Sequence, residues 1–430
     1  MNRPSDLTGL AGFTDTLWSD FRLRVQNWQC FNELPTFRIR VETEVICTLR
    51  INPDDRSASV FRQQIKTSES CFFVDLNQDA IGLLKSEKFV PMRIVVLYNQ
   101  VAATDSSGDL DVLKQCVAVE ESLRQLGHEA LRLSCSLNLG PVRDALLRLK
   151  PDVVFNLAES LDGTDRLMPV VAVFLEALGL PFTGASSLAM LTTTSKLVAK
   201  QRLLDQEIST PAWLTLRGDD CWRGAHERSW NPDRAIVKAI AEHASLGLGD
   251  DSVVECGRHS MEKLRSLIAA RAERFGTPHF AEQFIDGREF NLSLLAGTDG
   301  PDVLPPAEIE FINFATGKPR IVGHDAKWDE LTMEYLNTPR RFAFPLSDRA
   351  LLDELEALAR RCWTAFDLHG YARVDFRVDN DGQPWILEVN ANPCLSPDAG
   401  FAAALQQAGL SFTDAVERII ADAVRCSRVG

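Results

Sequence analysis

No closely spaced pair of cysteines occurs anywhere in the chain. The ten cysteines stand singly, the nearest two being Cys30 and Cys47, and no histidine spacing complements them. A structural zinc site is therefore not expected, and reduced thiols of a cytoplasmic protein are. Basic charge is in deficit too: 46 Lys+Arg face 60 Asp+Glu, a net charge of −14. That balance excludes nucleic acid as a general partner, although a local basic patch still suffices for one small polyanion. No apolar run reaches the roughly 18–20 residues of a membrane helix. The best candidate, Leu167 to Phe182, is interrupted by Glu176 and Gly179. Met1 to Leu10 lacks the basic start and apolar stretch of a secretory signal. There is no internal repeat and no low-complexity tract. What is present is 430 residues, 45% hydrophobic and 25% charged. Such a composition excludes wholesale disorder, and the length calls for two to four domains.

Residues 1–90 differ from the rest. Phe37–Val41 and Val45–Leu49 alternate with period two, which predicts half-buried strands, and Asn52-Pro-Asp-Asp55 reads as a turn. No chemical motif stands out, and Pro91 marks a boundary. From Met92 the pattern changes. Arg93–Tyr98 is a continuous apolar strand of the kind buried in a parallel sheet. It is followed by a helical pattern (Asp111–Leu126, closed by Gly127), a strand (Glu129–Leu133), a helix (Val142–Leu149) and a strand (Asp152–Phe155). That alternation predicts a doubly wound α/β domain over 91–190, with ligand positions in the loops after Tyr98 and Phe155.

Further on come a helix (Lys196–Gln206), the strand Ala235–Lys238, a Gly-containing loop (Glu242–Gly249) and a helix (Met261–Phe275). The remainder is strand-rich, with Phe280–Ile285, Phe290–Leu295, Ala307–Ile312 and Tyr371–Val378. Helices Asp348–Phe366 and Phe412–Val424 interrupt and close it.

The most informative stretch is Tyr371–Val378 followed by Asp379-Asn-Asp-Gly382 and Pro384–Asn390. Asp381-Gly382 suits a two-residue type I′ hairpin. Such a turn sets Asp375 opposite Glu388 and Arg373 opposite Asn390, all on one face. A four-residue turn would keep that face; a three-residue loop would break it. Two carboxylates and an amide oxygen suit a hard cation such as Mg²⁺, and Arg373 suits charge on a transferring phosphoryl group. The plainer alternative is a solvated polar hairpin face, salt-bridged through Arg373. Val374, Phe376, Ile386 and Leu387 argue for a partly buried ribbon, where uncompensated carboxylates are costly. Lys238, just before the Glu242–Gly249 loop, and Lys196, at a helix start, are weaker candidates for phosphate contacts. In Glu282-Gln-Phe-Ile-Asp-Gly-Arg-Glu289, Phe284 and Ile285 could offer adenine an apolar slot and Glu289 could accept from ribose. By pattern alone that segment is a β-hairpin turning at Asp286-Gly287.

Taken in order, these pieces resemble the ATP-grasp superfamily, most closely its D-alanine–D-alanine ligase branch. The resemblance runs from about Met92 to Val424. It is carried by Ala235-Ile-Val-Lys238 and its loop, Ala281–Phe290, Asp325-Ala-Lys327, Gly370-Tyr-Ala-Arg-Val-Asp375 and Leu387-Glu-Val-Asn-Ala-Asn-Pro393. It implies a mixed α/β and α+β fold: an N-terminal doubly wound domain (91–190), then two α+β subdomains (191–275 and 276–430) clasping ATP. Residues 1–90 form a β-rich extension outside it. Residue by residue, it implies that Lys196, Lys238 and the loop residue Ser245 contact ATP phosphates. Glu282, Phe284 and Ile285 would frame adenine, and Glu289 the ribose. Lys327 would reach the phosphates from a mobile loop. Asp375, Glu388 and Asn390 would hold two Mg²⁺ ions, for which Mn²⁺ can substitute, and Arg373 would stabilise the transferring phosphate.

The implied chemistry is ATP-dependent amide or peptide bond formation between a small-molecule carboxylate and an amine, through an acylphosphate. Positioning and electrostatics would do most of that work. The resemblance also implies a cytoplasmic enzyme and, as a family trait, a homodimer; neither nucleic acid nor membrane is expected as a partner. The amino-acid end departs from the branch. A Ser-Ser pair is Ala244-Ser245 here, a tyrosine is Trp328, a His-Gly element is Asn156-Leu-Ala-Glu159, and a carboxylate-holding serine is Ala399. Substrates other than two D-alanines are therefore expected. D-alanine–D-alanine ligation itself and an ATP-grasp phosphotransferase are the alternatives.

Overall fold

The computed structural model describes residues 90–430 apart from 217–220, 226–230, 243–246, 258–259, 316, 324–331 and 428–430; before residue 90 it describes five strands by their backbone. Ser245, Lys327 and the Asn52–Asp55 turn lie outside the described residues. The chain divides into two units, Met1–Val90 and Pro91–Gly430. In the first, β1 (Arg24–Phe31), β2 (Leu34–Val41) and β3 (Val45–Arg50) form an antiparallel sheet in that order. β4 (Gln63–Lys66) pairs with β5 (Cys71–Val74). The two alternating runs fall in β2 and β3, joined from Val41 opposite Val45.

The second unit begins with the alternation read from the sequence. β6 (Arg93–Asn99), α1 (Ser107–Gln125), β7 (Glu129–Cys135), α2 (Leu139–Leu149) and β8 (Val153–Asn156) build a parallel sheet in the order β7-β6-β8. The strongest apolar run, Leu167 to Phe182, holds α3 (Met168–Ala177), with proline in its first turn. Val171, Ala172 and Leu175 of α3 are buried. Among the described residues no helix is long and apolar enough to cross a membrane.

Two helices, α4 (Ser187–Thr194) and α5 (Lys196–Asp205), lead to a four-stranded antiparallel sheet. Its strands are β9 (Trp213–Leu214), β10 (Arg234–Ala239), β11 (Val253–Glu255) and β12 (His279–Gln283), ordered β11-β10-β12-β9. α6 (Ser260–Phe275) covers one face, burying Leu264 and Ile268 against Ala235, Val237 and Ala281. Alternation then turns Ile236, Lys238, Phe280 and Glu282 to the other face.

A third sheet has β13 (Gly287–Ala296) at its centre, with β14 (Pro301–Val303), β15 (Ala307–Ile309) and β16 (Arg340–Arg341) to one side. A short helix, α7 (Met333–Leu336), precedes β16. To the other side lie β17 (Tyr371–Asp379) and β18 (Pro384–Asn390). The amphipathic α8 (Arg349–Ala365) buries Leu355, Ala359 and Cys362 against Phe290, Leu292, Val374, Phe376, Ile386 and Val389. The chain closes with α9 (Gly400–Gln407) and α10 (Phe412–Ser427). These return to the first sheet, where Phe401, Val416 and Ile420 share a core with Ile94, Val96 and Val119.

Two local readings need correction. β12 and β13 lie in different sheets, so Asp286-Gly287 is a connection between sheets and not a hairpin turn. Gly287 has φ +149°, and a Cβ there would lie 2.0 Å from the Val378 carbonyl oxygen; close approach to β17 demands the glycine. Second, the β17–β18 loop has three residues, not two. The Asp379 N–H donates to the Gln383 carbonyl (3.1 Å), the Gly382 N–H donates to the Asp379 carbonyl (3.0 Å), and Gly382 has φ +83°. The Asp379 carboxylate favours this loop by accepting from the N–H groups of Asp381 (3.0 Å) and Gln383 (2.8 Å). A three-residue loop should move the polar pairs out of line. A β-bulge at Leu387 restores them, because Phe376 faces Ile386 whereas Asp375 faces Glu388.

Candidate active site

With both offsets in place, Arg373 sits opposite Asn390 and Asp375 opposite Glu388. β13 adds Glu289, Asn291 and Ser293 opposite Arg377, Asp375 and Arg373. The face of the third sheet away from α8 is thus a polar stripe across three strands. Within it the Arg373 guanidinium grips Asp375 with two donors, Nε to Oδ1 (2.7 Å) and Nη2 to Oδ2 (2.8 Å). Asn291 Nδ2 donates to the same carboxylate (2.8 Å). Burial works against the charge on Arg373, yet Asp375 and Glu388 outweigh it and hold the guanidinium more firmly protonated. Asn390 Oδ1 accepts from the Asn392 N–H (2.9 Å), fixing the amide at the strand end.

α5 brings Lys196 to this stripe. Its ammonium lies 3.6 Å from Glu388 Oε1 and donates to the Glu242 carbonyl at the start of the Gly-containing loop. The second sheet supplies Lys238, whose Nζ is 2.6 Å from Glu282 Oε1. Glu282 is fully buried, at 0% exposure. Ile285 is buried and Phe284 half-buried, with the Arg234 guanidinium 4.5 Å over the Phe284 ring. Glu289 pairs with Arg377 Nη2 at 2.7 Å.

Lys196, Glu388, Arg373, Asp375 and Asn390 are therefore brought to one sheet face, while Lys238 and Glu282 meet on the face of the second sheet away from α6. The plain salt-bridged reading of the hairpin is right about Arg373–Asp375, but the stripe is a partly buried site and not a solvated ribbon. Two oxygen-only carboxylates beside an amide oxygen fit a hard divalent cation.

Several site residues escaped sequence reasoning. Lys200 is 1% exposed, and its Nζ donates to Thr210 Oγ1 (2.7 Å) and lies 3.6 Å from Glu282 Oε2. Burial pulls its ammonium down to about 8, with Glu282 opposing the fall. Its place one helical turn beyond Lys196 is the signal that was available. Arg377 and Asn291 were findable as further polar residues on the alternation that marks Arg373 and Asp375.

At the end of β18 a second polar group joins the C-terminal segment to α1 and to the loop after β8. Asp111 Oδ2 accepts from Ser396 Oγ (2.6 Å) and Cys394 Sγ (3.0 Å). Gln115 accepts from the Leu395 N–H (2.9 Å) and donates to Glu159 Oε1 (2.8 Å). Burial raises the Glu159 carboxyl to about 7, with Gln115 opposing. Tyr371 donates to Asn392 Oδ1 (2.7 Å), and Asn392 donates to the Ala158 carbonyl (3.2 Å). Cys394 is thus held by Asp111, its thiol raised well above the usual value by burial.

Comparison with known proteins bears on this geometry. A family model described as "D-ala D-ala ligase C-terminus" matches residues 204–421. A D-alanine–D-alanine ligase of Aquifex aeolicus (strain VF5) is 29% identical over 334 residues, covering 76% of this chain and all of that one. One from Synechococcus sp. (strain JA-3-3Ab) is 30% identical, covering 72% of this chain and 87% of that one. The fold of the Bacillus anthracis D-alanine–D-alanine ligase solved with ATP superposes with a TM-score of 0.59 at 19% identity, over 79% of this chain and 99% of that one.

Proposed function

Because the chain belongs to the D-alanine–D-alanine ligase family of the ATP-grasp superfamily, we propose that it joins an amino-acid or peptide-like carboxylate to an amine other than the D-alanine pair. It is an ADP-forming carbon–nitrogen ligase of ATP-grasp fold. The observation that carries the reading is the convergence of Arg373, Asp375, Glu388 and Asn390 on one sheet face, with Lys196 meeting Glu388.

In this reading Lys196 and Lys238, with Ser245 and Lys327, hold the nucleotide phosphates. Glu282, Phe284 and Ile285 receive the base and Glu289 the ribose. Asp375, Glu388 and Asn390 provide the oxygens for two Mg²⁺ ions, or Mn²⁺ in their place, which when bound offset charge on the phosphates. Arg373, anchored on Asp375, presents its remaining N–H donors where charge builds on the transferred phosphoryl group and then on the tetrahedral adduct. The substrate carboxylate takes the γ-phosphoryl group, and the amine displaces phosphate from the acylphosphate. The Glu242–Gly249 loop excludes water while the acylphosphate waits. The reaction belongs in the cytoplasm, where ATP is available, and the family trait extends to a homodimer.

The departures at the amino-acid end support other substrates. Glu159 stands in the segment that replaces the branch's His-Gly element, and Ala399 offers no hydroxyl to an acceptor carboxylate. A second reading, D-alanine–D-alanine ligation proper, is favoured by the names of the relatives, of which this chain covers 100% and 87%. A phosphate-release screen with ATP, Mg²⁺ and amino acids or small peptides in pairs separates them. The proposal expects sustained release only with a mixed pair; robust release with D-alanine alone would establish the second reading. ADP formation with one substrate that keeps the phosphoryl group, without phosphate release, would instead mark a phosphotransferase.

A further inference from the structure

Glu282 is a fully buried carboxylate flanked by two lysines, of which the reading above uses only one. Lys238 Nζ lies 2.6 Å from Oε1 and Lys200 Nζ 3.6 Å from Oε2. The two cations differ in how they are held. Lys200 is at 1% exposure, donates to Thr210 Oγ1 and lies 5.4 Å from the centre of the Trp213 ring. Thr210 in turn donates to the Ile386 carbonyl of β18 (2.8 Å), so this lysine is tied to two sheets. Lys238 is the less enclosed of the two and stands at the strand end that leads into the Gly-containing loop.

We propose that Lys200 is a positioning residue: a fixed counter-ion for Glu282 that lets Lys238 leave that carboxylate for the nucleotide phosphates. This rests on the assignment of Lys238 to the phosphates. A buried carboxylate stripped of its cation is costly, so with Lys238 as sole partner Glu282 would retain it and the phosphates would compete poorly. With Lys200 anchored beside Oε2, Glu282 stays neutralised whichever way Lys238 points. Lys200 itself never touches the nucleotide.

The test compares binding of ATP–Mg²⁺ and of adenosine to the full chain by titration calorimetry. Lys200→Met should weaken ATP at least tenfold while leaving adenosine within about twofold, because only the phosphates lose Lys238. Adding Glu282→Gln removes the trap: Lys200→Met/Glu282→Gln should bind ATP within about twofold of Glu282→Gln alone. That double variant leaves no buried carboxylate without a cation, and its remaining lysine, Lys238, is the less enclosed one, so it decides the matter even where Lys200→Met fails to fold. Equal losses for ATP and adenosine in Lys200→Met, or a double variant far weaker than Glu282→Gln, would overturn the proposal. Lys238→Met is the control for its premise. If that variant binds ATP like the parent, the phosphate assignment of Lys238 fails; if it loses ATP while Lys200→Met does not, only the counter-ion role fails.

Discussion

Replacing Glu388 by Gln tests the metal assignment with little change of shape. Glu388 lies 3.6 Å from the Lys196 ammonium in a site where both side chains are mostly buried. At an effective dielectric constant of about 20 their gross attraction is about 4–5 kcal/mol. Desolvation cancels much of this, and Lys196 keeps its hydrogen bond to the Glu242 carbonyl. The net loss of stability should be about 1–2 kcal/mol, a fall in melting temperature of roughly 2–8 °C. Turnover should suffer far more. Losing one anionic oxygen ligand at a phosphoryl-transfer centre is expected to cost on the order of 10³-fold, about 4 kcal/mol of transition-state stabilisation. Phosphate release at saturating ATP measures the rate, a thermal melt measures the fold, and Mn²⁺ titration in the presence of ADP measures the site. A folded variant that turns over within about tenfold of the parent would refute the reasoning.

Other perturbations follow from local geometry. Gly287→Ala forces a Cβ to 2.0 Å from the Val378 carbonyl oxygen and should cost more than about 3 kcal/mol in a thermal or urea melt, whereas Gly382→Ala, with open space around it, should cost only about 1 kcal/mol. Glu159→Gln should be stabilising at alkaline pH. The folded-state carboxyl titrates near 7 against 4.5 unfolded, so folding resists its ionisation and stability is lost as pH rises between those values. The gain from the amide should be absent near pH 4, complete above about pH 7 and at most about 3 kcal/mol, readable as a melting-temperature difference that grows with pH. Ala399 is the N-cap of α9, extended and without a side-chain acceptor. Ala399→Ser should add about 1 kcal/mol of stability through that cap and, in phosphate-release assays, increase turnover with D-alanine.

Much of the site was legible because strand alternation decides which side chains share a face. Asp375, Arg373, Glu388 and Asn390 could be grouped from their spacing alone. The route to that grouping was less legible. Asp381-Gly382 favours a tight turn by dipeptide preference, but the Asp379 carboxylate binds two backbone N–H groups and enlarges it. Asp286-Gly287 misled for a related reason. Its glycine answers to the Val378 carbonyl, ninety-odd positions away in sequence, which no local pattern reveals. Lys200 was missed because its place one turn beyond Lys196 says which way it faces and not which carboxylate awaits it. The same holds for α10, whose apolar face was evident but whose partner, the first parallel sheet, was not.

The loop and bulge of the β17–β18 hairpin have a consequence for how this segment changes its length. Asn380-Asp381-Gly382 contributes one residue more than a tight turn, and Leu387 absorbs one residue on the return strand. The two behave as a pair of compensating frameshifts. Either alone throws every later side chain to the wrong face, and together they cancel before Glu388 is reached. Insertions and deletions here should therefore survive in twos, one at the tip and one at the bulge. A gap of a single residue in an alignment of this hairpin therefore sets Asp375 opposite a neighbour of Glu388.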